Sequence, residues 1–321
     1  MNLPKIFLPI AAIFMVAIGI VHAEPEAIDF IDGVDWTQKS INANGEGIAP
    51  PNALSRTQST GLAAKAATAD AYRKLGEIIN GVHVESNTTV ENLIVQSQIK
   101  LRVDATIKGA QVISQSTLSD GACRVVMQVP LFGKTNSLAQ AVFQKSETVE
   151  PFPEPVYTVE PSTDNAAQIE KNPLAPADDN SALSRVNTAT IVKGVSGEPV
   201  KKSVKEYAAL AKGDYTGLIV DCRGLGLQPV MSPVILNTNG TKIFGHKNLD
   251  VDKIVAHGMV DYVTDPEQVA RAGENPLVVK AVELKDFNAN PVLDLADSNR
   301  VLIENHATKF LKDLKVVFLY D

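Results

Sequence analysis

Hydrophobic and polar positions change period several times along this 321-residue chain, and each change marks an element. Ile6 to Ile20 is an apolar stretch interrupted only by Pro9 and Gly19, preceded by Lys5 and followed by Val21-His22-Ala23 and Glu24-Pro25. A sparse positive start, an apolar centre and small or tolerated residues before a break form the layout of a cleaved export leader, residues 1–23. The cut falls between Ala23 and Glu24. The run falls short of the roughly 20 residues that a bilayer span needs. No cysteine lies near the cut to accept a lipid. The expected location is the periplasm or cell envelope, with no stable transmembrane span after cleavage; a retained N-terminal anchor is the alternative.

Beyond the leader, a first folded part is expected over 34–134. Trp36 to Ala43 alternates large or apolar residues with polar ones, the pattern of a half-buried strand. Gly45 and Gly47 read as its end, and Pro50-Pro51 as a turn. Ser55-Arg56-Thr57-Gln58 has the capping-box spacing, in which the Ser and Gln side chains satisfy free N–H groups of a helix's first turn. The helix is expected to run to Ile79, with Leu62, Ala66, Ala69, Tyr72 and Ile79 on its apolar face and Gly81 as its stop. A face this rich in alanine permits close approach, either of a sheet or of a partner helix. Val82-His83-Val84 starts a second strand. From Ile99 to Ile107 apolar and polar residues alternate, which predicts a strand, although Val90, Leu93 and Ile94 suggest helix just before. Ala110–Leu118 and Ala122–Leu131 flank Ser119-Asp120-Gly121, a hairpin signal.

From Gln144 to about Asp179 there is little apolar periodicity, and six prolines from Pro151 to Pro176 stand among acidic and small polar residues. This predicts a semi-extended linker over 144–199, because proline fixes φ and removes a donor. Phe152, Val156, Tyr157 and Val159 are apolar enough to lie along a folded surface. A second folded part is expected over 200–321. It should contain a helix from Ser203 to Lys212, a buried strand from Thr216 to Cys222, and a hairpin around Asn237-Thr238-Asn239-Gly240. A helix from Asp250 to His257, a strand from Leu277 to Leu284, a helix from Asp297 to Leu311 and a strand from Leu314 to Tyr320 complete it. The expected class is α+β: a small antiparallel sheet packed by a long Ala-rich helix, plus a second α+β domain with a mixed sheet.

Charge and cysteine usage narrow the function. Removal of the leader takes away Lys5 and no acid, leaving 29 basic against 37 acidic residues and a net charge of −8. Nucleic acid is thereby excluded as a partner, since phosphate binding needs a concentrated basic face; Lys201, Lys202 and Lys205 read as a solvated helix edge. Cys123 and Cys222 fall in separate apolar runs, as two buried thiols or as one disulfide in an oxidising compartment. Arg223-Gly224-Leu225-Gly226-Leu227 lacks the third glycine and the following helix of a dinucleotide loop. His83, His246, His257 and His306 show no metal-ligand spacing. Asp250 with Asp252, and Asp261 with Asp265, have acid/base spacing but read as helix caps or loop residues. Asp221 and Arg223, at the end of a buried strand, are the best ligand candidates. No catalytic residue, metal or cofactor is expected.

Several of these segments together resemble a known family. Gly45-Glu46-Gly47, the Ala63–Ala67 and Asp70–Leu75 stretches of the helix, Val82-His83-Val84, Ile107–Ile113 and the Asp120-Gly121 hairpin into Val125–Val129 are similar to the twenty-kilodalton bacterial envelope lipoprotein family over residues 36–133. The N-terminal domain of flagellar assembly protein T has a similar layout. The resemblance implies helix over about 90–103, against the alternation, and a compact α+β domain. It also implies a non-enzymatic protein that binds envelope or flagellar proteins. The chain departs from the family in lacking the lipidated cysteine. Gly217–Asp221, Gly258–Tyr262 and Asn275–Ala281 resemble a C-terminal region of uncharacterised secreted bacterial proteins. The competing expectation is a small-molecule or glycan binder, or a weak hydrolase, at Asp221 and Arg223. A third is a structural spacer.

Overall fold

The computed structural model describes residues 31–144, 148–156 and 209–321. The expected leader, most of the expected linker and the first six residues of the helix expected from Ser203 to Lys212 lie outside the described residues.

The first half is built on one contact between a strand and a helix. After a short strand β1 (Gly33–Asp35) the chain turns, and β2 (Ser40–Gly47) follows antiparallel to it. Trp36–Lys39 is therefore turn rather than strand, held where Asp35 accepts from the backbone N–H of Gln38 at 2.8 Å. The strand continues through Gly45 and Gly47 instead of ending there. The physical reason lies across from them in α1 (Arg56–Gly81). A Cβ at position 45 would lie 2.0 Å from the Ala67 carbonyl oxygen, and one at position 47 would lie 2.2 Å from the Ala67 nitrogen. The two glycines are the strand's contribution to a near backbone-to-backbone approach.

The helix meets them with Ala63, Ala67 and Ala71, followed along the same face by Leu75 and Ile79. This strict four-residue repeat corrects the expected face: Ala66 and Ala69 are exposed, and Leu62 and Tyr72 are half-buried. The start is as expected in Ser55, which accepts from Gln58 N at 3.1 Å. The Gln58 side chain accepts from Leu54 N at 2.7 Å, one residue earlier than a capping box would have it.

A small hairpin, β3 (His83–Glu85) with β4 (Thr88–Thr89), leads to α2 (Val90–Leu93) and α3 (Ser97–Lys108). The alternation over 99–107 is thus not a strand. Ile99 and Val103 are buried at helical spacing while Leu101 is 69% exposed, so alternate apolar positions fall on different sides of a helix. The family resemblance is the better guide here. The hairpin of β5 (Gln111–Thr117) and β6 (Cys123–Pro130) forms as expected, with Gly121 at φ +84° in its turn. The four strands run antiparallel in the order β1-β2-β6-β5. Helix α1 packs over β2 and β6. All seven residues of β5 are exposed, beyond the helix's reach at an open edge. A short α4 (Leu138–Val142) closes this core.

Residues 148–156 run along the second half. Asn248 donates to the carbonyls of Glu150 and Pro151, Asn299 exchanges two hydrogen bonds with Val156, and Phe152 packs on the second core. The apolar residues Phe152 and Val156 lie on a folded surface as expected; Tyr157 and Val159 are outside the described residues.

The second half holds two sheets rather than a single mixed one. In the first, β10 (Asp261–Val263), β14 (Val316–Leu319), β7 (Gly217–Asp221) and β11 (Pro276–Lys280) lie in that order, all parallel. In the second, β12 (Glu283–Lys285), β13 (Asn290–Leu293), β8 (Ile235–Asn237) and β9 (Lys242–Phe244) form a mixed sheet. The strand expected from Leu277 to Leu284 is split between them. Ala281 N donates to Asp221 O of the parallel sheet, and the next residue, Val282, donates to Val292 O of the mixed one. The helices are α5 (Val251–His257), capped by Asp250 and ended by Gly258 at φ +75°, and α6 (Leu295–Thr308), capped by Asp294. The overall class is α+β in both halves.

Two large hydrophobic cores result, one around α1 and one around the parallel sheet, and they touch; a smaller cluster of Ile219, Val263, Ala272, Val317 and Leu319 is separate. Trp36 packs against both and meets the Tyr262 ring edge-on at 5.5 Å. Met231 of the second half is buried in the first core, and its N–H donates to His83 O at 3.0 Å. Cys123 and Cys222 are free, each buried in its own core. Among the described residues no helix is long and apolar enough to cross a membrane.

Gly45→Ala is expected to destabilise the fold by about 2 kcal/mol or more, because its methyl group would overlap backbone that cannot yield. Gly61→Ala, on the open side of α1 with nothing within 4 Å, is expected to stabilise by about 0.5–1 kcal/mol. Chemical denaturation of the two variants checks the opposite signs.

Candidate functional site

Two places on the molecule gather polar groups. The first is the carboxyl end of the parallel sheet, where Asp221 closes β7 between Lys280 of β11 and Leu319 of β14. In open sheets of this kind ligands favour the crevice beyond the strand ends, where the order reverses, and β7 lies there. The chain leaves β7 through Gly224 and Gly226, both at positive φ, and continues to β8 with no helix between. Asp221 accepts from the backbone N–H of Arg223 at 3.1 Å. Both of its oxygens also receive the Arg223 guanidinium, at 2.9 and 2.7 Å. Arg223 beside it holds the Asp221 carboxyl below the usual carboxylate range, against the opposing effect of burial. Asp321 accepts from Gly224 N at 2.7 Å and secures the same turn.

The expected pair is therefore brought together, but mainly to satisfy itself. A carboxylate with a lowered pKa is a poor proton donor near neutrality. A guanidinium forked onto that carboxylate has spent its two best-aligned donors. Neither residue lines the cavities described next.

The second place is a cleft of about 740 Å³ between the two halves, floored by the β1–β2 turn on one side and by α5 and β10 on the other. Its central group is Asp261, whose Oδ1 receives Lys39 Nζ and Arg271 Nη1, each at 2.6 Å. Arg271 also donates to the carbonyls of His257, Gly258 and Leu314, so one side chain ties the end of α5 to the turn before β14. Lys39 sits in a left-handed turn at φ +54° and adds a bond to His257 O at 3.2 Å. Burial alone would raise the Asp261 pKa; Arg271 and Lys39 outweigh it and hold the carboxyl below its ordinary value. Lys253 and Asp313 pair on the rim at 3.1 Å. A smaller cavity of about 310 Å³ lies between α3 and α4, beside Arg102, whose Nε donates to Ala141 O and whose Nη2 is buried without a partner.

The remaining candidates scatter. Asp250 caps α5 by accepting from Asp252 N, and Asp265 accepts from Glu267 N in a turn, so neither joins an acid/base pair. The His83 ring lies tilted beside Phe287, His246 approaches Ser232 and Glu85, and His306 pairs with Glu154 at 3.3 Å. Among the described residues no three His, Cys, Asp or Glu side chains stand where they could hold a metal ion. The Lys39–Asp261–Arg271 group was invisible as a motif, because its members lie far apart in sequence; only the elements that converge on it were predictable.

Comparison with known families divides the chain in the same way. Residues 37–130 match the family described as LPP20 lipoprotein. Residues 217–321 match the family described as Treponema pallidum Tp0624, second domain. Each half is thus similar to a separate family. The first match covers nearly all of the 36–133 stretch for which the envelope lipoprotein resemblance was expected. No curated protein matches the chain.

The lowered pKa of Asp261 has a definite sign in stability. Its ion pairs contribute fully above the unfolded carboxyl value of about 3.9 and are lost as pH falls through the lower folded value. Asp261→Asn is expected to cost about 1–2 kcal/mol at pH 7, allowing for partial exposure of the group, and the gap should narrow as pH falls from the unfolded carboxyl value through the lower folded one. Urea titrations across that range test it. The thiols offer a second check. Burial, with Asp221 adding to it, pushes Cys222 up to about 12. Neither cysteine should react with a thiol reagent in the folded protein, and both should react on denaturation.

Proposed function

We propose that the chain is an exported cell-envelope protein that acts by binding other proteins, in the assembly of an envelope or flagellar structure, and not by catalysis. The observation that carries this reading is the open edge of the first sheet: seven consecutive β5 residues exposed on both faces, with Val112 and Ile113 among them. An unpaired edge of that length presents a row of backbone donors and acceptors, and proteins ordinarily shorten, charge or cover such an edge. A partner segment that adds itself as a further strand satisfies those groups. The match to a lipoprotein family over 37–130 supports an envelope location. The expected leader, cut between Ala23 and Glu24, supports export. In this reading 34–134 and 200–321 are two domains joined by a linker over 144–199, and no cofactor takes part.

A second reading, a binder of small polar molecules or glycans, draws on the cleft at Lys39, Asp261 and Arg271 more than on Asp221 and Arg223, whose charges neutralise each other.

Ile113 is the extra residue where β5 bulges against β6, and bulges are positions at which strands tolerate proline. Ile113→Pro with Gln115→Lys should leave stability within about 0.5 kcal/mol. The same change should abolish cross-linking to envelope components in intact source cells. Unchanged cross-linking would remove the edge from the account. Saturable binding of a polar ligand that protects the cleft, with no protein captured, would favour the second reading.

A further inference from the structure

We infer that the cavity between α3 and α4 is a binding site for a small carboxylate of one negative charge, held by the guanidinium of Arg102. It lies apart from the β5 edge and from the cleft at Asp261, and it stands whether or not the protein-binding reading does. Arg102 Nε donates to Ala141 O at 2.8 Å, which fixes the guanidinium against the end of α4. Its Nη2 is buried beside the cavity with no partner among the described residues. Asp104, the only acid in α3, pairs with Lys100 at 3.1 Å instead. Buried charges are ordinarily paired and hydrogen-bonded, so a buried guanidinium N–H with nothing to donate to points to an acceptor supplied from outside.

The other lining groups fit the same ligand. Gln140 Oε1 accepts from Asn136 N at 3.1 Å, so the end of that amide left over is Nε2, a donor. Asn136, at φ +50°, donates to Gly109 O at 2.6 Å and holds the turn before α4 against the end of α3. Only glycine permits this at position 109, where a Cβ would lie 2.4 Å from Asn136 Oδ1. Thr106 follows Arg102 by four residues and so shares its face of α3. Its hydroxyl has no hydrogen-bond partner among the described residues. Arg102, Gln140 and Thr106 thus offer donors around a cavity whose lining carries one positive charge and no negative one. A carboxylate matches on both counts, being singly charged and acceptor-only. A phosphate dianion would leave a negative charge unbalanced. Ala105 and Ala141 complete the lining with apolar surface for the ligand's carbon atoms. At roughly 30 Å³ for each water-sized share, 310 Å³ takes a ligand of about ten non-hydrogen atoms.

The test uses the full exported chain, with benzoate and N-acetylalanine as probes and their neutral amides, benzamide and N-acetylalaninamide, as controls of the same shape. Titrations followed by backbone amide shifts should show each acid binding saturably at α3 and α4, and each amide at least tenfold more weakly. Arg102→Met should abolish that binding without lowering the unfolding temperature, because it removes the unpaired charge along with the site. An arginine with a merely structural role would do the reverse, lowering the unfolding temperature and leaving the titration unchanged. Gln140→Leu and Thr106→Val keep the guanidinium and should each weaken the acids about threefold to tenfold. Tighter binding of N-acetylalanine would mark the end of a polypeptide as the source of the carboxylate, and tighter binding of benzoate a free small acid; either supports the site. Failure of both acids to bind there, equal binding of acid and amide, or binding that Arg102→Met leaves unchanged would overturn it.

Discussion

The structure depends on how closely β2 and α1 approach each other. Gly45 and Gly47 on the strand and Ala63, Ala67 and Ala71 on the helix leave no room for a single added methyl group. Close packing of backbones gains dense dispersion contacts and excludes voids, but it commits the helix to one position. Polar groups reinforce that position at the strand's edge, where Lys74 donates to Asn44 O at 2.7 Å and Asp70 accepts from Glu46 N at 3.2 Å. With the helix fixed over β2 and β6, the far strand of the hairpin receives no cover. The openness of β5 is a consequence of the glycine–alanine contact, and the proposed binding surface follows from it.

The second constraint joins the halves. Trp36 and Lys39 lie in the same turn, and both reach across. The indole meets Tyr262, whose hydroxyl donates to Val230 O and accepts from Val230 N, while the ammonium meets Asp261. Burial of the Tyr262 phenol raises its pKa, so it remains a neutral donor throughout the physiological range. Arg271 anchors the acceptor side through three carbonyls as well as the carboxylate. The cleft is the space left beneath this bridge, and several of its polar lining groups are already engaged. Lys39 reaches across to Asp261 and the His257 carbonyl, while Arg271, Lys253 and Asp313 are paired within the second half.

Local signals were legible where a turn or a cap decides the outcome. Asp120-Gly121 and the Asn237–Gly240 turn specified hairpins through their φ requirements, and Ser55 specified the start of α1. Glycines inside a strand misled, because a break and a close approach share one residue type; only the helix opposite distinguishes them. The alanine face misled for a similar reason, since alanine tolerates either side of a helix and hydrophobicity alone cannot order Ala63 against Ala66. In α3 a polar–apolar alternation with exposed Leu101 imitated a strand, and the family pattern resolved what period could not. At the candidate sites, Asp221 and Arg223 were findable because two residues separate a strand end from a glycine turn. Asp261 stood out only for its spacing to Asp265, and its meeting with Lys39 and Arg271 was not findable, since it is a product of tertiary packing.

Hydrogen exchange over residues 110–118 would test the central claim most directly, comparing the dilute chain with the same chain in its native envelope fraction. The account predicts that the outward-facing β5 amides exchange rapidly in the dilute chain and become protected in the envelope, while β2 and β6 are slow in both. Equal exchange of β5 in the two settings would contradict it, and the open edge would then be a surface with no occupant.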